Sequence, residues 1–275
     1  MKRFTKLFIF FAIVFMVSVF CFSQFTDEEI AEREKWENFL KTAEIVDQEQ
    51  MGGRLAVTEP WKLTLEKDGI KKYALWKNVE GRQKGYLEGW KWEIAAYRLD
   101  KYLDLNMIAP TVEKRFRGNR GSCQLWVEFE MSYRDKIDNK VDLPSYKVFS
   151  FNRAVYLQRA FDNLIANEDR HMGNILFTKD WRMILIDHSR SFRTSKKYTK
   201  KLINSSESRG KPKIMRQLPR HFIDKIKALN FDRVKDIVGE YLEDDEIEAL
   251  LIRRDLILEE VNKLIEKHGE EDVLY

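Results

Sequence analysis

The hydrophobic pattern of this chain changes period part-way along, and that change limits the fold more than any other feature. Before about residue 129 the apolar residues alternate. Trp61-Lys62-Leu63-Thr64-Leu65-Glu66 and Lys72-Tyr73-Ala74-Leu75-Trp76-Lys77 flank the turn residues Lys67-Asp68-Gly69-Ile70, which predicts a hairpin. Strand-like runs at 111–116 and 122–129 flank Arg117-Gly118-Asn119-Arg120-Gly121 in the same way. Two helices interrupt this block. One is predicted over 26–49, with Thr26 as cap and Asp27-Glu28-Glu29 in the first turn; the other spans 86–104, with Tyr86, Trp90, Ile94, Tyr97 and Leu103 on one side. From about residue 146 the spacing turns helical, with a long helix over 151–166 and three more near 219–229, 231–242 and 244–268. Ile175-Leu176-Phe177 and Met183-Ile184-Leu185-Ile186, separated by Thr178-Lys179-Asp180, predict the one hairpin of this half. The plan is α+β in two lobes, a β-rich part over 24–128 and a mainly helical part over 129–275.

The N-terminus is set apart from both lobes. Met1-Lys2-Arg3-Phe4-Thr5-Lys6 is basic, residues 7–22 are almost unbroken apolar, and Cys21-Phe22-Ser23 offers small residues before the polar Gln24. That is the layout of an export signal. The apolar run has sixteen residues, just under the spanning length of ~17–25, so the alternative is a short anchor that tethers an exported domain. Cys21 lacks the small preceding residue of a lipoprotein. Cleavage after Ser23 would remove Lys2, Arg3 and Lys6 and no acid, taking the net charge from +4 to +1. Global charge therefore gives no support to nucleic-acid binding. Cys123 would be the one remaining thiol, in the apolar stretch Cys123-Gln124-Leu125-Trp126, and reads as a small buried residue.

The residues that carry chemistry lie in Asn167-Glu168-Asp169-Arg170-His171-Met172-Gly173-Asn174-Ile175-Leu176 and in Leu185-Ile186-Asp187-His188-Ser189. Asp169, an Asn five residues on and an Asp thirteen beyond that follow a phosphotransfer order. Asp169 would orient or deprotonate an acceptor hydroxyl. Asn174 and Asp187 would hold Mg²⁺ on nucleotide phosphates, and hard oxygen ligands are what Mg²⁺ selects.

This stretch resembles the catalytic and metal-binding loops of phosphatidylinositol 3- and 4-kinases, of the bacterial HipA-type protein kinases and, more loosely, of the kinases of the animal secretory pathway. The resemblance covers about residues 161–193. It implies a two-lobe protein-kinase-like fold, with ATP and Mg²⁺ (or Mn²⁺) as cofactors, Asp169 as the catalytic Asp, and Asn174 and Asp187 as metal ligands. His188-Ser189 departs from the Phe-Gly that commonly follows the metal Asp in these families, which bears on the mobility of the loop. In the N-terminal lobe, Lys77 ends an apolar strand where a kinase places its phosphate-contacting lysine; the alternative is a solvated strand-end Lys. Glu93, inside the following helix, is its best partner, with Glu88 as second choice. Gly52-Gly53 is positioned to turn backbone N–H groups toward phosphates, or is an ordinary turn. Residues 127–131 would form the hinge that holds adenine.

Between Arg190 and Arg216 there are ten basic residues and one acid, Glu207. This segment either grips an acidic, phosphorylated or sulfated acceptor, or anionic lipid heads, or is a solvated loop. With Phe192 and Tyr198 its only aromatic residues, it lacks the stacking platforms of a nucleic-acid surface. His171, His188 and Cys123 match no zinc spacing. No Gly-x-Ser-x-Gly is present for a serine hydrolase. Leu250, Ile257, Val261 and Leu264 form a helical stripe that reads as core. The expected function is an exported or membrane-tethered kinase acting on a protein, lipid or glycan hydroxyl. The alternative is a catalytically silent pseudokinase that binds an acidic or anionic partner.

Overall fold

The computed structural model describes residues 25–52, 59–205 and 215–275. Residues 1–24, 53–58 (Gly53 included) and 206–214 lie outside the described residues. In chain order the elements are α1 (Asp27–Ala31), α2 (Arg33–Thr42), β1 (Glu44–Gln50), β2 (Trp61–Lys67), β3 (Ile70–Lys77), β4 (Glu80–Gln83), β5 (Tyr86–Gly89), α3 (Trp90–Leu103), β6 (Thr111–Phe116), β7 (Asn119–Leu125), β8 (Met131–Ser132), α4 (Tyr133–Asp138), α5 (Val148–Ile165), β9 (Ile175–Phe177), β10 (Met183–Leu185), α6 (Lys196–Thr199), α7 (Arg220–Lys227), α8 (Phe231–Val238), α9 (Asp244–His268) and α10 (Glu270–Val273). None of the described helices is long and apolar enough to cross a membrane.

The first lobe is an antiparallel sheet in the order β1-β2-β3-β7-β6. Alternation along its strands turns Leu63, Leu65, Ala74, Trp76 and Cys123 to one face, where Phe39 and Leu40 of α2 cover them. Lys114 on β6 locks α2 in place. Its buried ammonium donates to the carbonyls of Leu40 (2.9 Å) and Ala43 (2.8 Å), satisfying acceptors that a helix end leaves open. The second lobe packs α5, α7, α8 and α9 around one large core that also takes in α3. A smaller cluster of Phe25, Ala109, Leu176 and Ile184, with Leu125, Val127 and Ile186 against it, fastens the end of the large sheet to the β9–β10 hairpin.

The hairpin of the sheet forms as expected, with Leu63 opposite Ala74 and Trp61 opposite Trp76. Three expectations are corrected. The helix expected over 26–49 ends at Thr42, and Glu44–Gln50 becomes the edge strand β1; Ile45 and Val46 are β-branched, and antiparallel pairing with β2 outweighs the helical spacing. The helix expected from residue 86 starts at Trp90, because Tyr86–Gly89 pairs with Glu80–Gln83 as a two-stranded ribbon. The last strand of the sheet stops at Leu125, four residues early. There the N–H groups of Leu125 and Trp126 are taken by the carbonyls of Pro110 and Tyr73, and the chain leaves the sheet to link the lobes.

Gly121 on β7 sets how closely this strand approaches the end of β3. A methyl group there would lie 2.5 Å from the Lys77 carbonyl oxygen and 2.6 Å from the Trp76 ring. Neither group can yield without moving the strand. Gly121→Ala is therefore expected to cost about 1–3 kcal/mol, the range for overpacking, read as a lower midpoint in urea at unchanged slope. An unaltered midpoint would show that β3 is held elsewhere.

Candidate active site

A cavity of about 720 Å³ opens between the lobes. Gly52, Leu75 and Lys77 line it from the sheet, Trp126, Val127 and Phe129 from the linking segment, and Asp169, His171, Leu176, Asp187 and Arg190 from the helical lobe. Glu93 and Asn174 are buried and do not line it. Gly52 lies in the connection between β1 and β2, and a methyl group there would meet nothing within 4 Å, so packing does not demand a glycine. Gly53 is outside the described residues.

Three elements meet at Lys77. Its Nζ lies 2.7 Å from Glu93 Oε1 on α3 and 2.9 Å from Asp187 Oδ1 beyond β10. Burial opposes the charge on Lys77, but the two carboxylates outweigh it and hold the ammonium above its ordinary value of 10.5. For Asp187 burial likewise opposes ionisation; the Lys77 ammonium overcomes it and keeps the carboxyl well below the usual range. Glu93 is held low in the same way, by Lys77 and by the hydrogen bond from His188. Asp187 has φ of 59°, a backbone angle that non-glycine residues rarely adopt. Such conformations persist where the surroundings enforce them.

The surroundings here are specific. His171 caps a short 3₁₀ turn, its Nδ1 accepting from the Gly173 N–H at 3.0 Å. The turn delivers Asn174 to the start of β9. The β9–β10 hairpin returns, and the Ile186 N–H donates to the Asn174 carbonyl at 3.2 Å, so Asn174 and Asp187 emerge at the same end. The side-chain amide of Asn174 donates to the carbonyl of Asp169 at 3.3 Å, tying the third residue of the set to the other two.

Sequence reading did not find the role of Arg170. Its guanidinium pairs with the buried Asp162 and donates to the carbonyls of Asn174 (2.9 Å) and Ile186 (2.6 Å). It also lies 2.8 Å from His188 Nε2. Guanidinium is a donor only, so Nε2 must accept, and the ring proton sits on Nδ1, which faces Glu93 Oε2 at 3.6 Å. His188 is therefore a neutral imidazole. Burial, and then Arg170, push its pKa below the ordinary 6.5. The position expected to govern loop mobility is fixed: His188 is fully buried, edge-on to Phe161, and its backbone N–H donates to Glu93 Oε2 at 3.0 Å.

Ser189, Glu88 and Arg190 complete the floor. The Ser189 hydroxyl lies 2.6 Å from Glu88 Oε2 and 2.8 Å from Asp187 Oδ1. It has one proton, and so serves one carboxylate at a time. Glu88, the second choice as partner of Lys77, pairs with Arg190 instead at 2.6 Å. Arg190 and Arg193 of the basic segment turn inward onto Glu88, Asp169 and Glu168. Lys196, Lys197, Lys200, Lys201 and Arg216 are exposed, and Glu207, Arg209, Lys211 and Lys213 lie outside the described residues. Cys123 is buried and its thiol is pushed up to about 12 by burial, consistent with a packing role. Among the described residues no cluster of three or more His, Cys, Asp or Glu side chains could hold a metal ion by itself.

The chain has a protein-kinase-like fold. Superposed on a solved structure of a hydra Fam20 with sugar, it gives a TM-score of 0.62 at 14% sequence identity, over 91% of this chain and 93% of that one. The likeness supports the kinase-like fold implied by residues 161–193 and gives no support to the phosphatidylinositol-kinase or HipA branch. The chain matches no family model and no curated protein.

His188 gives the site a pH dependence. Its folded pKa is depressed, so as pH falls below the ordinary 6.5 the unfolded chain binds a proton that the native state refuses, and stability drops. His188→Gln keeps an acceptor for Arg170 and does not titrate. Its unfolding free energy is expected to fall less than that of the wild type over this acid window, with the two curves parallel above it. Parallel curves throughout would show that His188 titrates normally in the fold.

Proposed function

We propose that this chain is a Mg-ATP-dependent phosphotransferase that moves the γ-phosphate to a hydroxyl acceptor. The observation that carries the reading is Lys77 held between Glu93 and Asp187 at the wall of a cavity whose other side presents Asp169. The apolar surfaces of Leu75, Val127, Leu176 and Ile186 would take the adenine, and Lys77 the α- and β-phosphates. Asp187 and Asn174 fit a hard divalent cation by donor chemistry: both offer oxygen, and Asp187 is kept ionised at the cavity wall. With so few protein carboxylates assembled, nucleotide oxygens and water would complete the coordination, which is how Mg²⁺ is usually held. The cation would neutralise charge on the phosphates. Asp169 would hold the acceptor hydroxyl in line and accept its proton as the O–Pγ bond forms, while the bond to ADP breaks and its electron pair leaves with ADP.

On this reading the export layout of residues 1–23 would carry the domain outside the cytoplasm, cleaved or tethered. The lobe division at 128/129 belongs to it as well. The hydra Fam20 was solved with sugar, which makes a sugar hydroxyl the first acceptor to test, ahead of protein and lipid.

Two variants separate binding from chemistry. Asp169→Asn is expected to keep the Mg-ATP-dependent rise in melting temperature and to lose phosphoryl transfer by at least about 10²-fold, the lower range for a general base. Asp187→Ala is expected to lose both. Transfer at the wild-type rate by Asp169→Asn sinks the mechanism. A folded wild type with no Mg-ATP-dependent thermal shift moves the reading to the silent binding module.

A further inference from the structure

Phosphate and metal binding leave Glu88 and Arg190 without a task. Glu88 is 2% exposed, yet both of its carboxylate oxygens are engaged. Oε1 accepts from Arg190 Nε at 2.6 Å, and Oε2 lies 2.6 Å from the Ser189 hydroxyl. Arg190 continues the chain of contacts. Its Nη1 lies 3.2 Å from Asp169 Oδ2, and its guanidinium lies over the Tyr86 ring, 4.1 Å from the centroid. The backbone repeats the connection, because the Gly89 N–H donates to the Ser189 carbonyl at 2.9 Å and Arg193 donates to the Leu87 carbonyl at 2.6 Å. One buried carboxylate on the β4–β5 ribbon thus reaches Asp169 through Arg190 and Asp187 through Ser189.

We infer that Arg190 is a positioning residue that fixes the Asp169 carboxylate for proton acceptance, and that Glu88 holds Arg190 in place. The inference rests on the phosphotransferase reading. Asp169 is one-third exposed, and on the described geometry its Oδ2 has no other ion pair to fix its rotation. A planar guanidinium can engage two carboxylates through separate edges, which an ammonium cannot do with the same geometry. A buried carboxylate is costly unless paired, so Glu88 without Arg190 would not keep its position, and Arg190 without Glu88 would be free to swing into the cavity. Misplacing a catalytic group by about 1 Å can cost on the order of 10²-fold in rate.

The test uses the full chain with water as the acceptor, following phosphate release from saturating Mg-ATP, and Mg-ATP affinity by calorimetry. Glu88→Gln, Arg190→Gln, Arg190→Lys and the Glu88→Gln/Arg190→Gln double variant are compared, with circular dichroism to establish folding. The expected result is that Arg190→Gln lowers the turnover rate by about 10²-fold with affinity unchanged. Arg190→Lys should recover part of the loss, and the double variant should be no slower than the slower single, since both act through Asp169. If Glu88→Gln does not fold, Arg190→Gln at this partly exposed position carries the test alone. Wild-type turnover in Arg190→Gln overturns the inference. So does a loss of affinity in step with the rate, which would make Arg190 a phosphate ligand, and so do effects that multiply in the double variant. A wild type that binds Mg-ATP but neither releases phosphate to water nor phosphorylates a sugar, protein or lipid hydroxyl removes the kinase reading, and the positioning role with it.

Discussion

One buried ammonium governs the arrangement of this protein. Lys77 is 7% exposed and cannot remain charged without partners, and the two it has come from different parts of the chain, 16 and 110 residues away. Each partner demands a piece of architecture. The register of β3 against β7, with Lys77 opposite Ser122, puts the ammonium at the sheet end nearest the cavity. The ribbon and the start of α3 at Trp90 put Glu93 on the first turn of the helix, and the β9–β10 hairpin brings Asp187 across. Removing one carboxylate leaves a buried charge half-compensated, which is more costly than never having built the pair.

Charge around the cavity also says what it can accept. Among the side chains that line it, Lys77 and Arg190 stand against Glu88, Asp135, Asp169 and Asp187, two cations against four carboxylates, a formal excess of two negative charges. A bare polyphosphate entering this field would be repelled. On the proposed reading a divalent cation would cancel this excess, so the nucleotide and the metal would bind as a unit. The proposed dependence on a divalent ion thus has an argument in the charge of the wall, independent of any family likeness.

The juxtaposition of the second-lobe candidates is legible in the sequence because their spacing is local. Asp169, Asn174 and Asp187 lie within nineteen residues of one another, and the only structure needed to bring them together is a turn and a hairpin whose apolar runs are plain. The alternation of β2 and β3 gave Lys77 its place for the same reason. What stayed hidden depends on distant pairing. Glu88 meets Arg190 across 102 residues, and nothing in Tyr-Leu-Glu-Gly announces a strand, because a four-residue ribbon has too short a run to show a period. Glu44–Gln50 reads as helix on local spacing but is a strand, because the edge of a sheet imposes strand geometry through its neighbour's hydrogen bonds, which local spacing does not register. Arg170 lies inside the motif without a role legible from spacing, since its four partners converge only in the fold.

His188 shows how a buried imidazole is absorbed beside the candidate site. Where the resembling kinases commonly carry a phenyl ring, this chain places an imidazole in a fully buried site beside Phe161. A ring of that size fills the same kind of space, but it also accepts a hydrogen bond from Arg170, which a phenyl ring edge cannot do. Arg170 then has an acceptor for Nη2 in addition to Asp162 and two carbonyls. The guanidinium spans the turn that carries Asn174, the hairpin and the residue after Asp187, so movement of the loop that carries Asp187 would break several buried polar contacts at once. A loop held by packing alone can slide between alternative hydrophobic niches at small cost; one held by a satisfied buried network has a single low-energy arrangement. The imidazole therefore exchanges the freedom of an apolar plug for a fixed geometry of Asp187, and the strained backbone of that residue is what such a network can enforce.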